Sequence, residues 1–196
     1  MSTAAAAAPA RTGTVLADLL PASRVRDIAL VAGGAVLTGL AAQISLPVPG
    51  SPVPVSGQTF AALLVGTALG ARRGFLSLAL YALAGMAGMP WFAEGTAGYA
   101  MPTLGYILGM LLAATAVGAL ARRGADRSVL RMAGTMALGS LIIYAVGVPY
   151  LALATGMPLS RAVAVGLLPF LIGDALKAAL AMGLLPTAWR LVGRRD

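Results

Sequence analysis

The sequence predicts an all-α integral membrane protein of six transmembrane helices with both termini in the cytoplasm. Three observations predict it. Of 196 residues, 59% are hydrophobic and 10% are charged, where soluble domains carry about 25% charge. A chain of this size could not cover a water-facing surface with so little, so its solvent is lipid. Next, no charged residue lies between Asp27 and Arg72. These 44 residues would make a helix of about 66 Å, roughly twice the hydrocarbon core, and so hold two spans. Last, the basic residues sort by side. Arg11, Arg24, Arg26, Arg72, Arg73, Arg122, Arg123, Arg127, Arg131, Arg190, Arg194 and Arg195 fall on one side if six helices alternate, and Arg161 alone falls on the other. Under the positive-inside rule that side is the cytoplasm.

The elements follow in order. Residues 1–23, with the alanine run from Ala4 to Ala8, are expected to be a disordered cytoplasmic tail. The run is too weak for the apolar core of a secretory signal. Residues 24–196 form the six-helix membrane domain. Helix 1 covers 27–46 and stops at Pro47-Val48-Pro49-Gly50-Ser51-Pro52-Val53-Pro54, where repeated prolines remove donors and force extended backbone. Helix 2 covers 55–71 and helix 3 runs from 74 to about 89, both short for a full crossing. Helix 4 starts near Pro102 and stops at Arg122-Arg123, and helix 5 lies between Arg131 and Gly156-Met157-Pro158. Helix 6 covers 159–189, interrupted by Asp174 and Lys177.

The composition also excludes. There is no cysteine and no histidine, which removes Cys/His zinc sites, iron–sulfur clusters, thiol nucleophiles and Ser–His dyads. No metal or cofactor is expected. No phosphate-binding or dinucleotide loop is present, so any work is powered elsewhere. The net charge of +8 is not a nucleic-acid signal, because its arginines sit in short loops as topology markers.

Three features near the external side carry chemistry. In helix 6, Asp174 and Lys177 are three apart and share a face. Each is 13 residues from the nearest arginine, Arg161 or Arg190, about 20 Å along a helix. Such intramembrane charges mark substrate or ion paths, although a mutually neutralised structural pair is the plainer alternative. Pro169 just upstream frees backbone carbonyl capacity. In the loop after helix 3, Trp91, Phe92 and Tyr99 flank Glu94; they read either as an interfacial belt or as a lid over an apolar ligand. Gln58 opens helix 2 as a cap or as a ligand contact. In helix 1, Ala29/Gly33 and Ala35/Gly39 are small-residue pairs at four-residue spacing, suited to close helix contact within the chain or with another membrane protein.

Five tracts in order resemble the BioY family, the biotin-specific substrate-binding (S) components of energy-coupling factor transporters. They are Pro47 to Thr59, Leu69 to Gly74, Tyr81 to Phe92, Pro102 to Gly109, and Gly173-Asp174-Ala175-Leu176-Lys177. The resemblance covers nearly the whole chain. It implies a six-helix fold in a prokaryotic cell membrane and high-affinity biotin binding near the external face, with no enzymatic activity. It further implies that Asp174 and Lys177 line the pocket, with Gln58, Trp91, Phe92, Glu94 and Tyr99 as further candidates. Ala29, Gly33, Ala35 and Gly39 would then meet the transmembrane coupling subunit, and separate ATPase subunits would supply the energy. On this reading Lys177 neutralises the biotin carboxylate and Asp174 accepts the ureido N–H groups. The family's loop after the Trp/Phe position is richer in glycine than Glu94-Gly95-Thr96-Ala97-Gly98-Tyr99 here, so loop contacts carry over less firmly. The alternatives are a stand-alone carrier or an S component for another small vitamin.

Overall fold

The computed structural model describes residues 13–192. Among these the chain forms α1 (Arg24–Gln43), a two-stranded ribbon of β1 (Ser45–Leu46) and β2 (Val55–Ser56), α2 (Gln58–Leu69), α3 (Ala71–Met86), α4 (Leu104–Arg122), α5 (Val129–Thr155), α6 (Leu159–Gly166) and α7 (Leu171–Val192). Four stretches are long and apolar enough to cross a bilayer: α1, α4, α5 and the joined Leu159–Val192. The shorter α2 and α3 have 12 and 16 residues, about 18 and 24 Å of helix. All six expected helical segments are present.

Boundaries follow local chemistry. The Ser23 hydroxyl accepts from the Arg26 amide at 3.0 Å and caps α1, and Ser128 does the same for α5 through the Arg131 amide, satisfying donors that a helix start leaves open. Gly70 alone reverses the chain between α2 and α3 at φ 83°, a conformation that costs glycine nothing. The Pro-rich segment is framed by the antiparallel ribbon, with Ser45 opposite Ser56 and Leu46 opposite Val55.

Helix α4 occupies the middle, with Tyr106, Ile107, Met110, Ala113, Ala114, Val117 and Ala121 all buried. It packs on α5, α2 and α3. Small residues permit the approach: a Cβ on Gly109 of α4 would lie 2.8 Å from Ile143 O of α5. In lipid, where apolar faces gain nothing from avoiding water, such backbone proximity holds helices together.

Two expectations change. The expected helix 6 breaks at Leu168–Phe170, a 3-10 turn containing Pro169. A proline here cannot donate to the preceding turn, and Asp174 and Lys177 lie beyond the break inside the regular helix α7. The expected tail, 1–23, is folded where it is described. Residues 16–19 form a 3-10 turn, Val15 and Ala17 are buried against Ala121, and Gly13 N–H donates to Arg122 O at 2.9 Å. Asp18 accepts from Arg73 at 2.8 Å and lies 3.6 Å from Arg122. Burial alone would raise the Asp18 carboxyl. The Arg73 hydrogen bond, the Val15 N–H and the charges of Arg73 and Arg122 together hold it below its usual value. Residues 1–12, with Arg11, and the terminal Arg194 and Arg195 lie outside the described residues.

Candidate functional site

Asp174 and Lys177 stand on the first two turns of α7, at the end of the bundle away from the arginine cluster. Lys177 Nζ lies 3.3 Å from Asp174 Oδ1, and both side chains are 15% exposed. Lys177 also donates to Thr59 Oγ1 at 2.7 Å, and Tyr144 of α5 donates its hydroxyl to Asp174 Oδ2. Two neighbouring helices therefore tie down the pair.

A cavity of about 520 Å³, its open mouth included, faces this network. Its polar wall is Gln58, Thr59, Tyr144, Asp174 and Lys177, and its apolar wall includes Tyr106, Ile107, Met110, Phe92 and Phe170. Val53, Pro54 and Ser56 of the Pro-rich loop and Thr103 before α4 complete the rim.

The break before α7 shapes this chamber. Helix α6 ends at Gly166, whose carbonyl would otherwise be an orphan of the terminus. The Tyr106 hydroxyl donates to it at 2.8 Å, fixing the Tyr106 ring across the cavity. Tyr106 and Tyr144 then meet edge to face, with centroids 6.5 Å apart. Gln58 is 5% exposed, yet its amide nitrogen has no hydrogen-bond partner among the described residues. A buried donor left unmade costs about 1–3 kcal/mol, which marks the place where a ligand acceptor gains most.

The sequence candidates divide. Asp174, Lys177, Gln58 and Phe92 line the cavity, whereas Trp91, Glu94 and Tyr99 do not. The expected aromatic lid is instead a wedge and a strut. Phe92 is buried against Gly85 and the Tyr81 ring, centroids 5.2 Å apart. Trp91 donates its indole N–H to Tyr81 O at 3.0 Å and packs on Gly39. Tyr99 is 72% exposed and Glu94 is exposed at φ 60°, so neither closes the chamber. On α1, Ala29 and Gly33 face outward, but Ala35 and Gly39 are buried within the chain. A docking face can use only the first pair. Thr59 and Tyr106 lie within the resembling tracts but have no role in the site as read from sequence, and Tyr144 is not singled out there at all. A tyrosine inside an apolar span is a usable signal, since its hydroxyl must find a partner there.

Chemically, the chamber offers an acceptor (Asp174) beside two donors (Lys177 and the Gln58 amide) on a neutral ion pair, with an apolar and aromatic remainder. That suits a group bearing an N–H next to a carbonyl, attached to an apolar body. Among the described residues no group of His, Cys, Asp or Glu is placed to hold a metal ion.

The family model described as the BioY family matches residues 11–194. A Lysinibacillus sphaericus protein described as "Probable biotin transporter BioY" is 35% identical over 136 residues, 68% of either chain. A Rhizobium etli protein described as "Biotin transporter BioY" is 33% identical over 143 residues, 68% of this chain and 75% of its own. Among solved structures, the S-component for biotin from an ECF-type ABC transporter superimposes with a TM-score of 0.77 at 19% identity, covering 87% of this chain and 95% of that one. At that identity the likeness is one of fold.

Proposed function

The chain belongs to the BioY family, and from that premise we propose that it is the biotin-capturing component of a vitamin uptake transporter. It spans the prokaryotic cell membrane six times, its arginine-rich end and both termini lie in the cytoplasm, and biotin enters from outside with high affinity. The observation that carries this reading is the chamber at the arginine-poor end, where Asp174, Lys177, Tyr144, Thr59 and Gln58 converge on one apolar cavity.

The pair reads one end of the ligand. Asp174 and Lys177 are in contact, whereas the ureido and carboxylate groups of biotin sit at opposite ends of the molecule. The ureido group alone offers what both side chains need, N–H donors for Asp174 and a carbonyl acceptor for Lys177 and Gln58. This revises the expectation that Lys177 neutralises the carboxylate, which instead lies toward the mouth formed by the Pro-rich loop and Thr103. Phe92, Tyr106 and Phe170 enclose the ring system.

Two experiments test the reading. Labelled biotin should bind the detergent-purified chain saturably, and biotin methyl ester should compete nearly as well as biotin. Absence of saturable binding overturns the assignment. Saturable binding with loss of competition by the ester would return the carboxylate to Lys177.

Energy comes from separate coupling and ATPase subunits, and the outward Ala29/Gly33 ridge of α1 is the contact. Gly33 has open space where a side chain would stand, so Gly33→Leu should leave biotin binding intact and abolish ATP-dependent uptake. Wild-type uptake with the coupling subunit deleted would make the chain a carrier in its own right.

A further inference from the structure

A second concavity lies between α1 and α3, facing outward, with a volume of about 1240 Å³ including its open side. Its long wall is α3, from Arg72 to Leu83, about 16 Å of helix. That is about half of the ~30 Å hydrocarbon core, the depth of a single leaflet. The two ends differ sharply. Asp27, Arg72, Arg73 and Arg122 stand at one end, and Ile28, Val31, Leu76, Leu80 and Leu83 line the remainder. Ile28 is 70% and Leu83 62% exposed, so among the described residues the groove has no cover from its own chain.

The charges at the mouth do not cancel. Arg73 is held by Asp18 at 2.8 Å and by Asp27 at 3.1 Å. Arg26 shares Asp27 at 2.7 Å, and Arg122 lies 3.6 Å from Asp18. With Arg72, which contacts neither aspartate, four guanidiniums stand against two carboxylates, leaving two positive charges. The outward ridge of Ala29 and Gly33 is on a different face of α1, so the groove is a separate feature.

We infer that this groove is a binding site for an anionic glycerophospholipid. Its phosphate sits between Arg72 and Arg122, and one acyl chain lies along Leu76, Leu80 and Leu83 against α1. Surplus positive charge at the membrane surface selects the headgroup, each arginine contributing about 1 kcal/mol. A leaflet-deep apolar trough that ends in uncancelled positive charge matches an amphiphile with an anionic head and an acyl chain. A second copy of this chain is the competing occupant.

The test is native mass spectrometry of the full-length chain, released from detergent after incubation with phosphatidylglycerol or with phosphatidylcholine of the same acyl chains. One phosphatidylglycerol adduct should persist where phosphatidylcholine is lost. Arg72→Gln should lower its occupancy about fivefold. Leu80→Trp, which fills the trough without touching the charges, should lower it as well, and biotin binding should be unchanged in both variants. Millimolar inorganic phosphate should not displace the adduct, because the acyl chain holds it. Equal retention of the two lipids overturns the proposal. So does an adduct indifferent to both substitutions, displacement by phosphate alone, or a dimer mass in place of a lipid adduct.

Discussion

At the arginine-rich end of the bundle, Asp18 accepts hydrogen bonds from Arg73 and the Val15 amide and lies beside Arg122. At the opposite end, Asp174 accepts from Lys177 and Tyr144. Both are carboxylates held by cations between packed helices, but their surroundings differ. Asp18 joins its own folded 13–19 segment to α3 through Arg73 and to α4 through Arg122. Asp174 borders a cavity, with the unpartnered amide of Gln58 in the same wall. The Asp18 carboxylate has its partners and ties helices together, while the Asp174 cluster leaves an unmade donor beside a cavity. The same pairing of carboxylate and cation therefore gives structure around Asp18 and recognition around Asp174.

The largest effect that would break this contrast is at the cavity. Lys177→Ala removes one member of a desolvated pair and a ligand donor, so biotin affinity should fall about thirty-fold or more. Asp174→Asn keeps the shape but loses acceptor capacity, and should weaken affinity while the melting temperature in detergent holds. If either variant fails to accumulate as folded protein, the cavity pair is structural and the contrast collapses. Next is Arg73→Gln, which strips two carboxylates of their shared partner. It should cost about 2 kcal/mol of stability, read as a lower melting temperature, with biotin affinity of the folded fraction unchanged. Smaller still is Tyr144→Phe, which deletes one hydrogen bond to Asp174. It should weaken biotin about fivefold, the equivalent of ~1 kcal/mol.

The smallest effect is a pH signature that sharpens the comparison within the arginine-rich end itself. The Asp18 carboxyl is held below its ordinary value, so its contribution is present above about pH 3.9 and fades as pH falls through the folded-state value. Asp126, in the loop between α4 and α5, behaves oppositely. Burial pushes its carboxyl up, although Trp189 donates to it at 2.6 Å. Its ionisation therefore opposes folding increasingly as pH rises above about 3.9. Melting curves of Asp18→Asn should converge on wild type as pH is lowered toward 3, and those of Asp126→Asn should diverge upward as it is raised toward 7.

What the sequence made legible was whatever is written in charge and proline. The windows free of charge located the first five segments, and in the sixth the intramembrane Asp174 and Lys177 marked one wall of the cavity. The folded 13–19 segment was not legible, because Val15-Leu16-Ala17 is an apolar run of only three residues and the burial of Val15 and Ala17 depends on Ala121, more than a hundred residues away. The inward rotation of Ala35 and Gly39 was equally hidden: a small residue looks the same whether it admits a foreign helix or the indole of Trp91. Thr59 and Tyr144 joined the site through hydrogen bonds spanning 118 and 30 residues, which no local pattern encodes. The break at Pro169 was visible as a residue, but its consequence required Tyr106 and Gly166 to meet.

Helix α2 has 12 residues and reaches about 18 Å, against a hydrocarbon thickness of ~30 Å. Its first residues, Gln58 and Thr59, belong to the polar wall of the cavity. No residue of α2 is exposed, so neighbouring helices rather than lipid surround it, and protein fills the missing length. Beyond its first turn that space goes to the Pro-rich loop, whose Val53, Pro54 and Ser56 line the chamber. A span cut short at one end thereby becomes a recess: the depth of the site is the length that α2 does not have.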